Sequence, residues 1–399
     1  MTTHLPGHYR ADVRTLRAAA LVFLAICIQS GAAADSASPA ASGATLIVAA
    51  ADSSASSKAA ARFVADGEGD QEQINAAIRA LPPAGGTVLL TEGTYDIRSV
   101  AGTLGGVLID RSQVTLAGQG AATRLVLASN QNANVIRIIG SGVGHITIRD
   151  LSVDANREQN QEGTGDPNIS HDRFEFCGIK AFRQAPRGPS AAEDTHDITV
   201  RNCIVKDAHR LGIMLEGPNM RVLDNFLANA GSDSVEILTG PGVIRGNFVE
   251  ITGQTHVAIG SDRGNSITMA DNIVRVRKGG RLDIGFRSWA GSKRHVIANN
   301  VLTVEDGGSC ELAMDVRGTE TTITGNNIHT FASGKPTRLR LAAGNAVVSA
   351  NVLENAVIEV DDQTGANQPI MVHANVLQNS QVARRKGNLI STPKPAEAR

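Results

Sequence analysis

The chain has 399 residues and carries a formal net charge of −1 at pH 7. That balance excludes the strong positive field with which proteins gather nucleic acid or anionic lipid. Aromatic residues make up only 3% of the chain, too few for a large globular core built on Phe, Tyr and Trp, but enough for a narrow core of Val, Ile, Leu and Ala.

The N-terminus reads as an export signal over residues 1–34. Arg14 and Arg17 precede an apolar run from Ala18 to Ile28, and small residues follow up to Ala34. The run is too short to span a bilayer, so removal of the signal implies a secreted or periplasmic protein with no membrane segment. Residues 35–60 are rich in Ala and Ser and read as a disordered linker. Cys177, Cys203 and Cys310 remain after cleavage. Their spacing fits neither a metal site nor a CxxC pair, which leaves them as small buried hydrophobes with at least one free thiol.

The first predicted element beyond the linker is a helix from Gln71 to Leu81. Asp70 stands at its N-cap with Gln73 as capping-box partner, and Ile74, Ala77, Ile78 and Leu81 form one apolar stripe. Pro82-Pro83 and Gly85-Gly86 end it. Short β-branched strands follow, among them Thr87–Leu90, Val114–Leu116, Arg124–Leu127, Val135–Ile139 and Ile146–Ile148. No further helical periodicity interrupts them.

From about residue 200 an asparagine returns roughly every two dozen residues, just ahead of apolar residues: Asn202, Asn225, Asn247, Asn272, Asn300, Asn327, Asn351 and Asn375. A fixed period of this kind means stacked repeats. Leucine-rich repeats also return an asparagine, but they need Leu-dominated slots and a helix or tight turn per unit; here Val and Ile fill the slots and each unit holds several strand signals. A parallel β-helix with an asparagine ladder at one turn, where the residue's tolerance of left-handed backbone helps, fits the pattern.

Phe63-Val64-Ala65-Asp66-Gly67, the following helix, Gly86–Tyr95, and Val114–Gly120 with Thr123-Arg124-Leu125 resemble the opening of the pectate-lyase-like superfamily. The resemblance covers roughly residues 61–390 and implies an all-β, right-handed parallel β-helix with an N-terminal capping helix, ending before a disordered tail at 391–399. It also implies action on polysaccharides, as lyase, hydrolase, epimerase or glycan-binding protein, without choosing among them.

A second alternating strand in each repeat would place outward residues in columns. One column reads Lys180, Met214, Glu236, Ala258, Asp283, Ala313 and Arg340; its neighbour reads Ser234, His256, Arg281, Glu311 and Arg338. Asp233, Glu236, His256 and Asp283 are the candidate catalytic groups, flanked by Asp262. Lys180, Arg281, Arg338, Arg340 and Trp289 are the candidate substrate binders. Glu236 and Asp283 would stand about 10 Å apart, near the upper limit for an inverting hydrolase.

The stretches Gly231–Ile237, Thr255–Ser261 and Gly280–Ile284 resemble three polygalacturonase motifs in order. That likeness implies a catalytic carboxylate at Asp233, the histidine at His256 and a substrate-carboxylate binder at Arg281. Ser234 stands where those enzymes have a second Asp, Thr255 and Val257 replace glycines, and Asp283 replaces a Lys. A lyase or epimerase would instead use His256 as base and Arg281 to neutralise a uronate carboxylate. Residues 156–176 form the longest polar insertion, placed to overhang the face; within it Asp166-Pro167-Asn168 and His171-Asp172 resemble, at different spacing, the Asp-Pro-His-Asp motif of alginate epimerases. No cofactor and no metal are expected, and the expected partner is an acidic polysaccharide rather than nucleic acid.

Overall fold

A computed structural model describes residues 43–161, 176–182, 195–331 and 335–391. The proposed signal at 1–34, most of the polar insertion with Asp166, His171 and Asp172, and residues 392–399 lie outside them. The described chain winds as a parallel β-helix of three sheets, with 14, 11 and 11 strands, every ladder between named strands being parallel. Each coil contributes one strand to each sheet, so residues two dozen apart in sequence become lateral neighbours. Alternation within the strands sends Val, Ile, Leu and Met into one continuous core between the sheets.

Part of the segment expected to be a disordered linker is ordered. Ala44–Ala49 is a strand between Phe63–Val64 and Gly86–Leu90 in the 14-stranded sheet, and Ala55–Ala60 is a short helix whose N-cap Ser54 accepts from the Ser57 N–H. The Ala/Ser composition concealed Leu46, Ile47 and Val48, a short apolar run that meets the first coil.

The capping helix runs from Gln71 to Ala80 and buries Ile74, Ala77 and Ile78 over the open end of the core. Asn75, also buried, donates to the Gly106 carbonyl and accepts from the Leu108 N–H, satisfying the edge strand Gly105–Ile109 that has no coil before it. Asp70 does not cap through its side chain as expected. Its carboxylate instead accepts from the Gly67 and Asp96 N–H groups, tying the helix entry to the next coil. Burial raises its pKa, against the lowering effect of those two bonds.

The asparagine ladder is present, with two corrections. It comprises Asn225, Asn247, Asn272, Asn300, Asn326, Asn351 and Asn375. Asn326 rather than Asn327 holds its place in the row, and Cys203 rather than Asn202 occupies the preceding rung, its N–H donating to Asn225 Oδ1. In each step one side-chain oxygen accepts both the backbone N–H and the Nδ2 of the previous asparagine, at about 3.0 and 2.9 Å for Asn247 and Asn272. The left-handed residue is the one before the ladder asparagine: Asp224, Gly246, Asp271, Asn299, Gly325, Ala350 and Ala374 all have φ between 53° and 70°. The turn and the ladder are therefore separate demands on adjacent residues.

Replacing Asn272 by Ala is expected to remove the acceptor of the buried Asn247 N–H, one of the three acceptors of Asn247 Nδ2, and the Nδ2 donor to the Ile244 carbonyl. The expected loss is about 2–4 kcal/mol, read as a lowered melting temperature with faster amide exchange at residues 244–249. An unchanged melt would show that the row does not hold the coils together.

The three cysteines are buried and unpaired with one another, and burial pushes the Cys203 and Cys310 thiols up to about 12. No helix among the described residues is long and apolar enough to cross a membrane.

Candidate active site

The second 11-stranded sheet carries most of the candidate residues, but in different rows from those expected. The strands Gln254–Ser261, Arg281–Ser288 and Ser309–Val316 are eight residues long and break the alternation at their centres. Ala258 and Ala313 turn into the core together with their successors Ile259 and Met314, while Val257, Ile284 and Leu312 form a small apolar cluster of their own. Gly285 takes the same inward place in the middle strand, where a Cβ would stand 2.5 Å from the Ala313 carbonyl oxygen. A reading by strict alternation stays in phase only up to this bend.

The register yields two rows of polar and charged residues. His256, Asp283 and Glu311 are in line, between the pairs Thr255↔Leu282↔Cys310 and Val257↔Ile284↔Leu312. His256 Nδ1 lies 2.8 Å from Asp283 Oδ2. Both side chains are nearly half exposed, at 48% and 43%. An Nδ1–H donating to Asp283 leaves the Nε2 lone pair for an external proton. The neighbour of His256 is thus Asp283, not Arg281; Arg281 pairs with Gln254 and Ser309 on the adjoining row.

Beside these rows lies a groove of about 1080 Å³, bounded by Arg281, Asp283, Glu311, Phe331, Lys335, Arg338 and Arg385. Arg338 is held between Glu311, at 2.7 Å, and Glu359, and Arg385 is also paired with Glu359. Arg281 and Lys335 carry no carboxylate partner among the described residues, so two cations face the groove without internal neutralisation.

The second row continues from Lys180 through Met214, Glu236, Gly260, Arg287, Asp315 and Arg340 to Glu359. It is buried. Arg287 Nη2 meets Asp233 and Glu236 at 2.7 Å each and Asp262 at 3.0 Å. Burial works against its charge, but the three carboxylates outweigh that and raise its pKa above the ordinary arginine value. Asp315 takes Arg340 in a two-bond fork and accepts from Arg317 as well. Trp289 is covered by Arg317 at 4.0 Å and Arg287 at 5.5 Å from its ring centre, which occupies it with cations rather than offering it to the groove. Lys180 is fully buried with its ammonium 5.1 Å from the Phe182 ring centre.

The expected site therefore divides. Asp283, Arg281 and Arg338 line the groove, and His256 stands beside it, hydrogen-bonded to Asp283. Asp233 and Glu236 lie with Arg287 in the buried row, and Glu236 is separated from the Asp283 position by about four residues of strand, roughly 13 Å. Arg287 and Asp315 were not foreseen. The only sequence signal for them was Gly285 and Ala313, small residues that shift the phase of each strand just before the charged residue.

The fold matches solved carbohydrate-active β-helices. The chain shares with them the parallel β-helix fold. A DFA-IIIase from Arthrobacter chlorophenolicus A6, in complex with GF2, superposes with a TM-score of 0.55 at 15% identity, covering 87% of this chain and 91% of that one. The A-module of a mannuronan C-5 epimerase from Azotobacter vinelandii gives 0.51 at 18% identity, over 82% and 97%. By sequence the chain is similar to alginate lyase 7 of Azotobacter vinelandii, 29% identical over 201 residues, which is 44% of this chain and 23% of that protein. The chain thus matches less than a quarter of that relative's length. No protein family profile matches.

Proposed function

We propose that this β-helix is an exported enzyme that acts on an acidic, uronate-containing polysaccharide by removing the proton next to the uronate carboxylate, the step common to lyases and C-5 epimerases. The observation that carries the reading is the pairing of His256 with Asp283 at the edge of a groove where Arg281 and Lys335 stand without internal counter-charges. A sugar carboxylate held by those cations loses part of its negative charge, which stabilises the carbanion formed at the neighbouring carbon. His256 Nε2 takes the proton while Asp283 fixes the ring and stabilises the imidazolium. Arg338, anchored by Glu311 and Glu359, extends the cationic wall. The similarity to an alginate lyase and to the fold of a mannuronan epimerase supports a uronate polymer as substrate. The signal-like segment at 1–34 supports a secreted or periplasmic location.

Hydrolysis is the weaker reading. Asp233 and Glu236 share one guanidinium nitrogen, so their oxygens lie close enough for paired acid–base work, yet both are buried and held by Arg287. Both carboxylates are already engaged by the buried Arg287 rather than turned toward the groove.

The test is incubation with alginate, polymannuronate and pectate in D₂O. Deuterium at C5, or absorbance near roughly 230 nm from the double bond left by elimination, is expected. New reducing ends without either would make the protein a hydrolase, and retained binding with no product would make it a glycan-binding module.

A further inference from the structure

On the 14-stranded sheet, remote in the fold from the groove, two consecutive coils bring His145, His196 and Asp197 together. His145 follows Gly144 in the strand Gly144–Arg149, and His196 opens the next strand of that sheet, His196–Arg201, paired directly with Gly144. A Cβ at position 144 would stand 2.4 Å from the His196 ring, so only glycine leaves the ring its place there. His145 and Asp197 both adopt left-handed backbone, with φ of 56° and 51°, a conformation that costs a β-carbon residue energy and here turns both side chains into one spot. One ring nitrogen of each histidine and an Asp197 oxygen lie within 4.8 Å of one another. Asp197 Oδ2 is 2.8 Å from His196 Nδ1 and 4.0 Å from His145 Nδ1, and the two rings meet edge to face with centres 5.2 Å apart.

We propose that these three residues bind a divalent first-row transition metal, with zinc as the reference ion. Two imidazoles and one carboxylate are a donor set suited to Zn²⁺, and leave a fourth position to water. Metal–ligand bonds of about 2.0–2.2 Å place tetrahedral donors roughly 3.3 Å apart, so the three atoms need only small side-chain rotations to close on an ion. The hydrogen bond between His196 and Asp197 would be exchanged for two bonds to the ion. Because the ligands come from consecutive coils, 51 residues apart between His145 and His196, the ion would clamp one turn of the helix to the next. Sequence spacing gives no hint of such a site, which is why none was expected.

The experiment is calorimetric titration of the untagged full-length protein with ZnCl₂ at pH 7.5, beside His145→Asn, His196→Asn and His256→Ala. One equivalent is expected to bind with a dissociation constant in the micromolar range, weakened at least about tenfold in His145→Asn and in His196→Asn but not in His256→Ala. Co²⁺ in place of Zn²⁺ is expected to give visible absorption in the wild type and to lose it in His145→Asn. His145 is the most exposed of the three, so its variant tests the site even if His196→Asn fails to fold. Absence of saturable binding below about 100 µM would overturn the proposal, as would binding that survives the His145 substitution unchanged.

Discussion

Arg287→Met is expected to be the most damaging single substitution in the buried row. It removes the one guanidinium that Asp233, Glu236 and Asp262 share and keeps a side chain of similar length. Three carboxylates would then face one another at a site where the side chains of Asp233 and Glu236 are 4% and 7% exposed. Taking one partner from a buried ion pair costs about 3–5 kcal/mol. Here one nitrogen serves three acids, so the loss belongs at the top of that range. The measurement is thermal melting followed by circular dichroism, with Arg287→Met/Glu236→Gln as a partner variant. The double variant removes one of the three negative charges around the lost guanidinium and is expected to recover part of the lost stability. If Arg287→Met melted within a degree or two of the wild type, the cluster would not be a structural clamp. The acids would then have to be solvated and free, which would reopen the hydrolytic reading.

His256→Ala carries the largest expected effect on activity. The side chain is nearly half exposed and its one hydrogen bond among the described residues goes to Asp283, so its loss is expected to leave the melt unchanged. Removal of a positioned general base costs about 10²–10⁴ in rate, and the loss should appear in kcat. Asp283→Asn is expected to fall less, because it keeps a polar partner beside the imidazole but removes the charge that stabilises its protonated form. Arg281→Ala is expected to raise KM as well as lower kcat, since the proposed mechanism has it hold the substrate carboxylate before and during proton loss. Full turnover by His256→Ala on the uronan identified in the D₂O screen would remove this histidine from the mechanism. Intact binding with lost turnover would support it.

These two variants probe rows that differed in how readable they were. The period of the asparagines and the β-branched strands between them revealed the solenoid, because stacking is the only way such short apolar runs can all be buried. The groove residues Arg281, Asp283 and Arg338, and His256 beside them, were legible because they lie on the near side of the central bend, where alternation still holds. Their row partners were not. Ala258, Gly285 and Ala313 put two successive residues into the core, so that Glu236 pairs with Gly260 and Arg287 instead of Ala258 and Asp283. A period-2 rule carries no provision for a bend. The ladder was misread by one place at Asn326 for a similar reason: Asn326 and Asn327 are adjacent, and only the hydrogen bond from the Asn300 N–H decides which of them faces the row. Within residues 35–60 composition prevailed over the short apolar run Leu46-Ile47-Val48, although that run forms a strand of the 14-stranded sheet.

The paired arrangement of His256 and Asp283 implies an unusual kind of address. They are 27 positions apart in the chain, yet adjacent because one whole winding separates them. Lengthening the loops that join strands would leave such neighbours in place, whereas inserting or deleting a whole winding between them would move every downstream group by one storey. Location here is counted in storeys, and whatever evolution alters at the corners, the floor plan that sets His256 beside Asp283 stays fixed by the vertical count.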